Sequence, residues 1–363
     1  CIRDRDIAQD PFLTVQPVAA TIGHFPKSMI QRAMRMYIPR TYNSYVEKVD
    51  VLILSDTDHT LFTSAQQIMF KKGVINDGQG LIMAGGFEAF GGAGWGTSWE
   101  GSAVIDALPV DVLSGQSYSL NPFYARPTAE AKNHPFVTSL PWDTMPPFGG
   151  MNVVIPKEWS IVLLEARGTG ISLSQHRPVL VYGEVGRGAS LAHAPDWNPG
   201  WGDAVMRDWE YYPDYLINMV YLVAGIPIPQ DVQLVHLVRQ ELSSYWSQRS
   251  VTMSMLEFAE KFGANVVKLE ERLAQINGEK DEADELYLHQ DYEGVLSKMA
   301  KIRQELMDIN SKAVKLKDQA LFWVYVIEWF AVTATMMIAG LVLWTLMIRR
   351  RIYKEVKVTR FNL

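Results

Sequence analysis

An apolar strand that runs directly into a polar loop is the most informative part of the sequence: residues 49–59 are VDVLILSDTDH. The run from Val49 to Leu54 is typical of a buried strand, and comparable runs alternate with helical stretches through the first two-thirds of the chain. This alternation predicts an α/β domain with a mainly parallel sheet. Ligands of such sheets bind beyond the carboxyl ends of the strands, so Asp56, Asp58 and His59 are candidate ligand-binding residues.

Further elements are predicted on both sides of this run, within a domain over residues 14–229 that follows an N-terminal extension over residues 1–13. The predicted strands are Thr14–Ile22, Leu81–Ala84, Val153–Ile155, Ser160–Leu164, Val179–Glu184 and Ala189–Ala192. The predicted helices are Ser28–Lys48, Ser64–Asn76 and Asp208–Ala224. Residues 115–151 are rich in proline, glycine and aromatic residues, which indicates a long ordered excursion between strands.

Beyond Pro229 the apolar residues recur at alternating steps of four and three, which is the a/d spacing of a coiled coil. Residues 230–320 are therefore predicted to form an antiparallel coiled-coil hairpin with its tip in the acidic stretch Asn277–Asp291. The seam residues are Met255, Ala259, Phe262, Val266, Leu269, Leu273 and Ile276 in the first arm, and Val295, Met299, Ile302, Leu306, Ile309, Ala313, Leu316, Ala320, Trp323, Ile327 and Phe330 in the second. The short connector favours pairing within one chain, while pairing with a second copy or another protein stays open.

A membrane-spanning helix is predicted over residues 321–348, because Trp329–Ile348 contains no charged residue. These twenty residues would rise about 30 Å as a helix, which matches the hydrocarbon core of a bilayer. The basic residues that follow are Arg349, Arg350, Arg351, Lys354, Lys357 and Arg360. By the positive-inside rule the tail over residues 349–363 is cytoplasmic and the chain before the span is extracytoplasmic.

Two residues at the outer end of this span are candidate partner contacts. Glu328 and Trp329 stand at the edge of the uncharged run, where Glu328 either reaches the headgroup region or pairs with another membrane subunit. The cost of burying a charge in lipid favours the headgroup position. The predicted partners are therefore the lipid bilayer and a membrane or envelope protein, with self-association through the coiled coil as the alternative.

Composition excludes several classes of site. The chain has 363 residues, a formal net charge of −6 and no basic patch interleaved with aromatic residues, which argues against nucleic-acid binding. Its one cysteine, Cys1, permits neither an internal disulfide nor a zinc-cysteine cluster, and the acidic residues lack the spacing of a metal motif. No cofactor is expected. Cys1 is either a lipidated residue or a trimmed start, and the trimmed start is favoured because a lipid would be redundant with the span.

Several motifs in the first domain together resemble a known family. They are VLILSD at 51–56, DGQGLIMAGGF at 77–87, GSAVIDALPV at 101–110, HPFV at 134–137, PVLVYGEVGRG at 178–188, and AHAPDW at 192–197. In this order and spacing they resemble the glutamine amidotransferase-like family, a branch of the class I glutamine amidotransferase superfamily. The resemblance covers roughly residues 14–229 and implies a flavodoxin-like three-layer α/β sandwich.

The resemblance also implies where an active site would lie. Active members of the superfamily carry a nucleophilic cysteine on a sharp turn after a strand, activated by a histidine that a carboxylate orients. The corresponding turn here is AGGFEAF, residues 84–90, in which Gly86 or Phe87 takes the place of the cysteine. His193, Asp196 and Glu88 remain as candidate catalytic residues. In the alternative interpretation Asp196 is a cap or turn residue and His193 a hydrogen-bonded buried imidazole.

The sequence therefore favours a catalytically inactive, membrane-anchored scaffold or accessory subunit of a membrane or envelope complex. The alternative is an extracytoplasmic domain that binds or hydrolyses carbohydrate or peptide at the crevice around His193. A third hypothesis is a homo-oligomer assembled through the heptad seam.

Overall fold

The computed structural model divides the chain into two compact units, Cys1–Arg239 and Gln240–Leu363. The first unit contains an α/β domain, and the second is helical. The residues that the structure describes are 7–8, 10–18, 25–113, 115, 118–168, 177–197, 201, 203–206 and 208–359.

The first unit is built on a central sheet with helices on its faces. Its strands are β1 (Val51–Ser55), β2 (Gly80–Gly85), β3 (Val110–Val112), β4 (Tyr118–Ser119), β5 (Tyr124–Pro127), β6 (Met151–Asn152), β7 (Val154–Pro156), β8 (Ile161–Arg167), β9 (Pro178–Val185) and β10 (Gly188–Asp196). Its helices are α1 (Lys27–Tyr37), α2 (Tyr42–Lys48), α3 (Ser64–Lys72), α4 (Pro135–Thr138), α5 (Asp203–Met206) and α6 (Tyr212–Ala224).

The central sheet is mixed and has six strands in the order β1-β2-β10-β9-β8-β5. Strands β1, β2 and β10 are parallel, while β10-β9, β9-β8 and β8-β5 are antiparallel pairs. The α/β flavodoxin-like fold class is confirmed, but the parallel part is restricted to one half of the sheet. The change of direction begins at β9, because the connection from β9 to β10 is only Gly186 and Arg187: a two-residue turn can only return the chain antiparallel, whereas a parallel crossover needs a dozen residues or more.

Two predicted elements differ from the structure. The predicted helix Ser28–Lys48 is two helices, α1 and α2, because Pro39 lies between them and cannot continue a helix. The predicted strand at Thr14 is wrong for residues 14–18, which have no regular structure, and the rest of that prediction lies outside the described residues. Helix α3 continues as predicted through a π-helical turn over Gly73–Asp77.

The core of this unit lies around the two innermost parallel strands. Every residue of β2 and β10 is buried, and Leu81, Ile82 and Met83 are fully enclosed. Helix α6 packs on one face of β1, β2 and β10 through an almost wholly apolar surface. Burial of each large apolar side chain contributes about 1.5–3 kcal/mol, so the parallel half of the sheet is the most strongly supported part of the domain.

The second unit contains long helices: the end of α7 (Val232–Lys261), α8 (Val267–Leu288) and α9 (Tyr292–Thr359). Helices α8 and α9 are neighbours joined by a turn of three residues, His289–Asp291. The predicted hairpin tip, Asn277–Asp291, contains this turn at its end, but its first part is helical, because α8 continues from Asn277 to Leu288. The acidic residues of that stretch form the solvated face of a helix whose other side buries Ala283 and Tyr287.

The heptad seam of α9 is buried only in its first part. From Val295 to Ala320 nearly all predicted seam residues are buried, whereas Trp323, Ile327 and Phe330 are more than 60% exposed. From Ile327 to Tyr353 every residue of α9 is exposed. Among the described residues, α9 is the one helix whose length and composition would allow it to cross a membrane.

Candidate functional site

The turn after β2 is the position at which an amidotransferase would carry its nucleophile. Strand β2 ends at Gly85, and Gly86 follows with a φ of +143°, in the region that favours glycine. A Cβ atom on Gly86 would overlap the carboxyl group of Asp56. The backbone amide of Gly86 donates to Asn152 Oδ1 at 2.8 Å, which fixes the turn. A side chain of any kind, including a cysteine, therefore does not fit at this position.

Phe87, the next residue, is held among aromatic rings. Its ring lies 5.6 Å from that of Trp95 with an interplanar angle of 5°, and 5.5 Å from that of Trp201. The two hydroxyl residues farther along the loop do not replace the nucleophile. Thr97 donates a 2.7 Å hydrogen bond to Asp58, and Ser98 accepts one from the amide of Glu100 at 3.1 Å.

Three carboxyl groups, those of Asp56, Asp58 and Glu88, lie close together at this turn, at the carboxyl edge of the sheet. Asp56 accepts a 2.8 Å hydrogen bond from the backbone amide of Glu88, and its φ of +43° places it in the left-handed region. Asp58 accepts from the backbone amide of Thr60 at 2.8 Å and lies 3.6 Å from the ammonium group of Lys27. All three acidic residues are less than 10% exposed.

The surroundings shift the pKa values of two of these carboxyl groups, Glu88 and Asp58, in opposite directions. Burial and the negative charges of Asp58 and Asp56 raise the pKa of Glu88 to about 7. Burial alone would also raise the pKa of Asp58, but hydrogen bonds from Thr60 and Thr97 and the charge of Lys27 bring it below its ordinary value. Asp58 is therefore ionised at neutral pH, while Glu88 is poised between its neutral and charged forms.

His59 lies at the edge of this cluster. It begins the short helix His59–Leu61, which Asp58 caps, and its Nδ1 atom is 3.7 Å from Asp58 Oδ1. Its ring packs 6.1 Å from that of Trp99. His59 thus adjoins the carboxyl cluster that the sequence associated with it.

His193 is enclosed instead of facing an open crevice. It lies in β10 beside Ala84, is 0% exposed, and contacts the rings of Phe148, Trp197 and Tyr215 at 5.7–5.9 Å between centroids. Its Nδ1 atom is 2.9 Å from the carbonyl oxygen of Pro195. Among the described residues no carboxylate is hydrogen-bonded to its ring, and Nε2 has no partner.

Burial governs the chemistry available to this histidine. Loss of solvent lowers the pKa of His193 to about 3, so the ring is neutral at physiological pH. A neutral imidazole that is surrounded by aromatic rings has no route to a substrate proton. Asp196 is also buried, at the irregular end of β10 beside Gly85, and lies on the same strand as His193.

The two residues predicted to contact a partner, Glu328 and Trp329, do not belong to a cluster of functional side chains among the described residues. Glu328 and Trp329 lie on the exposed part of α9, where Trp329 is 78% exposed and Glu328 forms no ion pair with a described residue. In the described part of the chain, no three residues of the histidine, cysteine, aspartate and glutamate types are grouped so as to hold a metal ion.

Sequence reasoning missed two residues that organise the turn. Asn152 is fully buried and donates from its side-chain amide to Gly86 O at 3.2 Å, in addition to accepting from the Gly86 amide. Trp99 is also fully buried, and its indole N–H donates to the carbonyl oxygens of Thr57 at 2.8 Å and Glu88 at 3.0 Å. The spacing of these residues from the turn gave no signal, because folding alone brings them there.

The mixed sheet and the turn after β2 define an amidotransferase-like α/β domain. The family model described as "Putative glutamine amidotransferase" matches residues 33–224, more than half of the chain, and the chain belongs to this family. A comparison with curated proteins found no match.

Two solved structures from Salmonella are similar to this domain. One, described as "Cytoplasmic Protein STM1381 from Salmonella typhimurium LT2", is 25% identical with a TM-score of 0.43, over 52% of this chain and 76% of that chain. The other, "Cytoplasmic Protein STM3548 from Salmonella typhimurium", is 21% identical with a TM-score of 0.45, over 53% of this chain and 78% of that chain.

Proposed function

We propose that this chain is a membrane-anchored accessory subunit whose amidotransferase-like domain binds a partner or ligand without catalysing amide transfer. The observation that carries this proposal is the turn after β2. Gly86 has no room for a side chain, and Phe87 is packed between two tryptophan rings. Nucleophilic catalysis needs a thiol or hydroxyl at such a turn, hydrogen-bonded to a base.

The burial of His193 and its low pKa support the same proposal. A general base must reach the proton that it removes, and a pKa far from the working pH makes the transfer inefficient. His193 is fully enclosed, and burial lowers its pKa to about 3. On this proposal the chain keeps the α/β fold of the family, while packing contacts of Phe87 occupy the position of the nucleophile.

The membrane part of the proposal rests on α9. Its exposed apolar residues would be buried in lipid, and the basic residues after Ile348 would lie in the cytoplasm. In that topology the amidotransferase-like domain is extracytoplasmic. Glu328 would then meet either the headgroup region or a polar group of a second membrane protein.

A glutaminase assay of the detergent-solubilised full chain tests the catalytic part of the proposal. We expect no release of ammonia from glutamine above a protein-free blank, and no covalent adduct by mass spectrometry after treatment with a reactive glutamine analogue. Turnover above the blank that His193→Ala removes, or an adduct on any residue of the domain, would contradict the proposal.

Extraction from the native membrane in a mild detergent tests the accessory role. We expect a second protein to co-purify in a fixed ratio, and we expect Glu328→Gln to reduce its amount. Glu271→Gln, which changes an exposed acidic residue of α8, is the matched control and should leave the ratio unchanged. Recovery of the chain as a monomer without a partner would overturn this part of the proposal.

A further inference from the structure

The turn between α7 and α8 in the helical unit exposes three large apolar side chains. Phe258 and Phe262 are each 40% exposed and Val267 is 54% exposed. The two phenylalanine rings contact each other at 4.9 Å between centroids, and Val266 beside them is buried in the unit. We call Phe258, Phe262 and Val267 the turn surface. It is an apolar surface that the packing of the turn supports.

Contacts within the helical unit fix the level of this surface along α9. Glu241 of α7 forms an ion pair with Arg303 of α9, and Phe258, farther along α7, lines an open groove together with Lys317 of α9. The two helices therefore run side by side in the same direction. Phe262, one helical turn beyond Phe258, then lies past the level of Lys317, on the side of the apolar span.

The burial of α9 gives the same level independently. Ala320 is the last residue of α9 that is buried among the described residues, so the packed part of the unit ends there. The next residues include Phe322 and Trp323, which are 61% and 62% exposed. The turn surface is therefore level with the part of α9 at which exposed aromatic side chains begin.

This level is the one at which a membrane interface would begin. Aromatic side chains at the ends of a span typically lie between water and the hydrocarbon core, and α9 exposes Phe322, Trp323 and Trp329 just before its uncharged run. From Phe322 to Trp329 a helix rises about 10 Å, a little more than the thickness of one headgroup layer, about 5–8 Å. The turn surface would thus lie at the outer boundary of that layer, where phenylalanine rings can enter it.

The bilayer is the occupant that the position and the charge of the turn surface favour. Residues 262–267 carry no charge, and the exposed residues Lys261 and Lys268 flank them. Basic side chains of this length can keep their ammonium groups among lipid headgroups while apolar neighbours are buried. Another protein could cover an apolar surface at any level of the unit, whereas a membrane crossed by α9 is necessarily present at this one.

We propose that the turn between α7 and α8 is a second membrane contact, which places Phe258, Phe262 and Val267 in the outer headgroup region beside the span. A single span leaves the helical unit free to rotate about the axis of α9. A second contact on one side of that axis keeps the same side of the unit towards the lipid. This inference rests on the membrane anchoring in the proposed function and adds a lipid-binding site to it.

The test uses the full chain in phosphatidylcholine vesicles, in a Cys1→Ser background, with a nitrobenzoxadiazole label on the single cysteine of Phe262→Cys or Val267→Cys. Quenching of the label is measured with one lipid that carries a nitroxide on its headgroup and with another that carries it deep in the acyl chain. We expect both labels to be quenched at least about twofold more by the headgroup nitroxide than by the acyl-chain nitroxide, because the proposed contact is shallow.

Two further positions make the result decisive. Leu288→Cys is the matched control, because Leu288 is 42% exposed but lies about 32 Å from Val267, at the other end of α8, so neither lipid should quench its label. Met336→Cys lies in the uncharged run and should be quenched most by the acyl-chain nitroxide.

These positions separate the failure of this inference from the failure of membrane anchoring. A label at Met336→Cys that neither lipid quenches would contradict the anchoring, and the inference with it. If that label is quenched but the labels at Phe262→Cys and Val267→Cys behave like the one at Leu288→Cys, only the second contact is overturned. It is also overturned if the turn labels are shielded from water without being quenched by either lipid, since a protein then covers the turn.

A substitution tests whether the apolar side chains make the contact. With the label on Val267→Cys, Phe262→Asp should reduce quenching by the headgroup nitroxide by about twofold or more, because a carboxylate replaces a ring that enters the interface. Leu288→Asp is the control and should leave this quenching unchanged. Far-UV circular dichroism shows that both variants keep their helices. Equal quenching in the Phe262→Asp variant and the parent would overturn the inference.

Discussion

Asn152 and Gly86 are joined by two reciprocal hydrogen bonds, from the Gly86 amide to Asn152 Oδ1 at 2.8 Å and from the Asn152 side-chain amide to Gly86 O at 3.2 Å. Asn152→Ala would leave a buried backbone donor and acceptor unpaired, each at a cost of about 1–3 kcal/mol. We therefore expect a loss of about 2–4 kcal/mol in the free energy of unfolding of the domain. Urea unfolding followed by near-UV circular dichroism measures it.

The matched control for this substitution is Asn133→Ala. Asn133 is exposed and forms no side-chain hydrogen bond with the described residues, so its replacement should change the unfolding free energy by less than about 0.5 kcal/mol. Equal effects of the two substitutions would show that Asn152 does not hold the turn.

The turn itself predicts a strong preference for glycine at position 86. Gly86→Ala would combine an unfavourable φ of +143° with overlap between the new Cβ atom and Asp56. Backbone strain of about 1–3 kcal/mol and overpacking of about 1–3 kcal/mol add to an expected loss of about 2–6 kcal/mol. Gly101→Ala is the control, because Gly101 also has a positive φ, +76°, but has no atom near its Cβ position.

The comparison of Gly86→Ala with Gly101→Ala separates strain from overlap. Gly101→Ala should cost only about 1–2 kcal/mol, the usual penalty for a left-handed alanine. If both variants lose the same unfolding free energy, Asp56 yields to the new side chain and the turn could accommodate a nucleophile after all.

Glu88 predicts a pH dependence of stability. The native pKa is about 7 against an ordinary value of 4.5, so between these two pH values the folded chain keeps a proton that the unfolded chain releases. The unfolding free energy therefore falls as the pH rises from about 4.5 to 7, by up to about 3 kcal/mol. Glu88→Gln removes this loss, and we expect the variant to exceed the parent in unfolding free energy at pH 8 but not at pH 4.5.

The difference in unfolding free energy between Glu88→Gln and the parent chain reports on Glu88 and not on other titrating groups. His193, whose native pKa is depressed, acts in the opposite direction, since its contribution to stability is lost as the pH falls from about 6.5. That contribution is common to both proteins and cancels. Glu130→Gln, at an exposed position, is the control and should show no such pH trend. A Glu88→Gln difference that is constant from pH 4.5 to 8 would contradict the raised pKa.

A buried network of ion pairs in the first unit predicts that the stability of the chain depends on Arg239. Arg239 donates to Asp214 at 2.7 Å and to Asn218 at 3.2 Å, and its Nε atom lies 3.5 Å from Asp10. Arg239→Leu would remove the guanidinium from the buried carboxyl groups of Asp214 and Asp10, and removal of one partner of a buried ion pair typically costs about 3–5 kcal/mol. Chemical unfolding of the full chain measures this loss.

Arg187→Leu is the control for that network, because Arg187 is exposed and, among the described residues, its side chain donates only to the backbone carbonyl oxygen of Asn76. Its unfolding free energy should change by less than about 1 kcal/mol. A similar small change for Arg239→Leu would mean that water or other cations compensate the network.

The sequence was most informative where local pattern and burial coincide. The apolar runs at β2 and β10 and the heptads from Val295 to Ala320 are continuous signals, and the structure buries them as central strands of the sheet and as a helix seam. Asp56 and Asp58 were expected at the carboxyl edge of the sheet and Glu88 was a candidate through the family resemblance, and the structure brings the three carboxyl groups together.

The sequence was least informative where distant segments decide the outcome. The enclosure of His193 depends on Phe148 and Tyr215, which are separated from it along the chain and give no local signal. Likewise Asn152 reaches Gly86 only through the fold. The two-residue turn at Gly186 and Arg187 makes β9 and β10 antiparallel, which is a local signal against the mainly parallel sheet that was predicted.

The orientation of α9 in the membrane gives a last prediction, which single-cysteine labelling tests. In a Cys1→Ser background, Ser247→Cys places a thiol on the exposed surface of α7, and Tyr353→Cys places one at an exposed position after the apolar span. If the tail is cytoplasmic, an impermeant maleimide should label Ser247→Cys in intact cells and Tyr353→Cys only after permeabilisation. The reverse pattern would show that the topology is the opposite of the one proposed. Labelling of both thiols in intact cells would exclude a spanning helix, because both thiols would then lie on the same side of the bilayer.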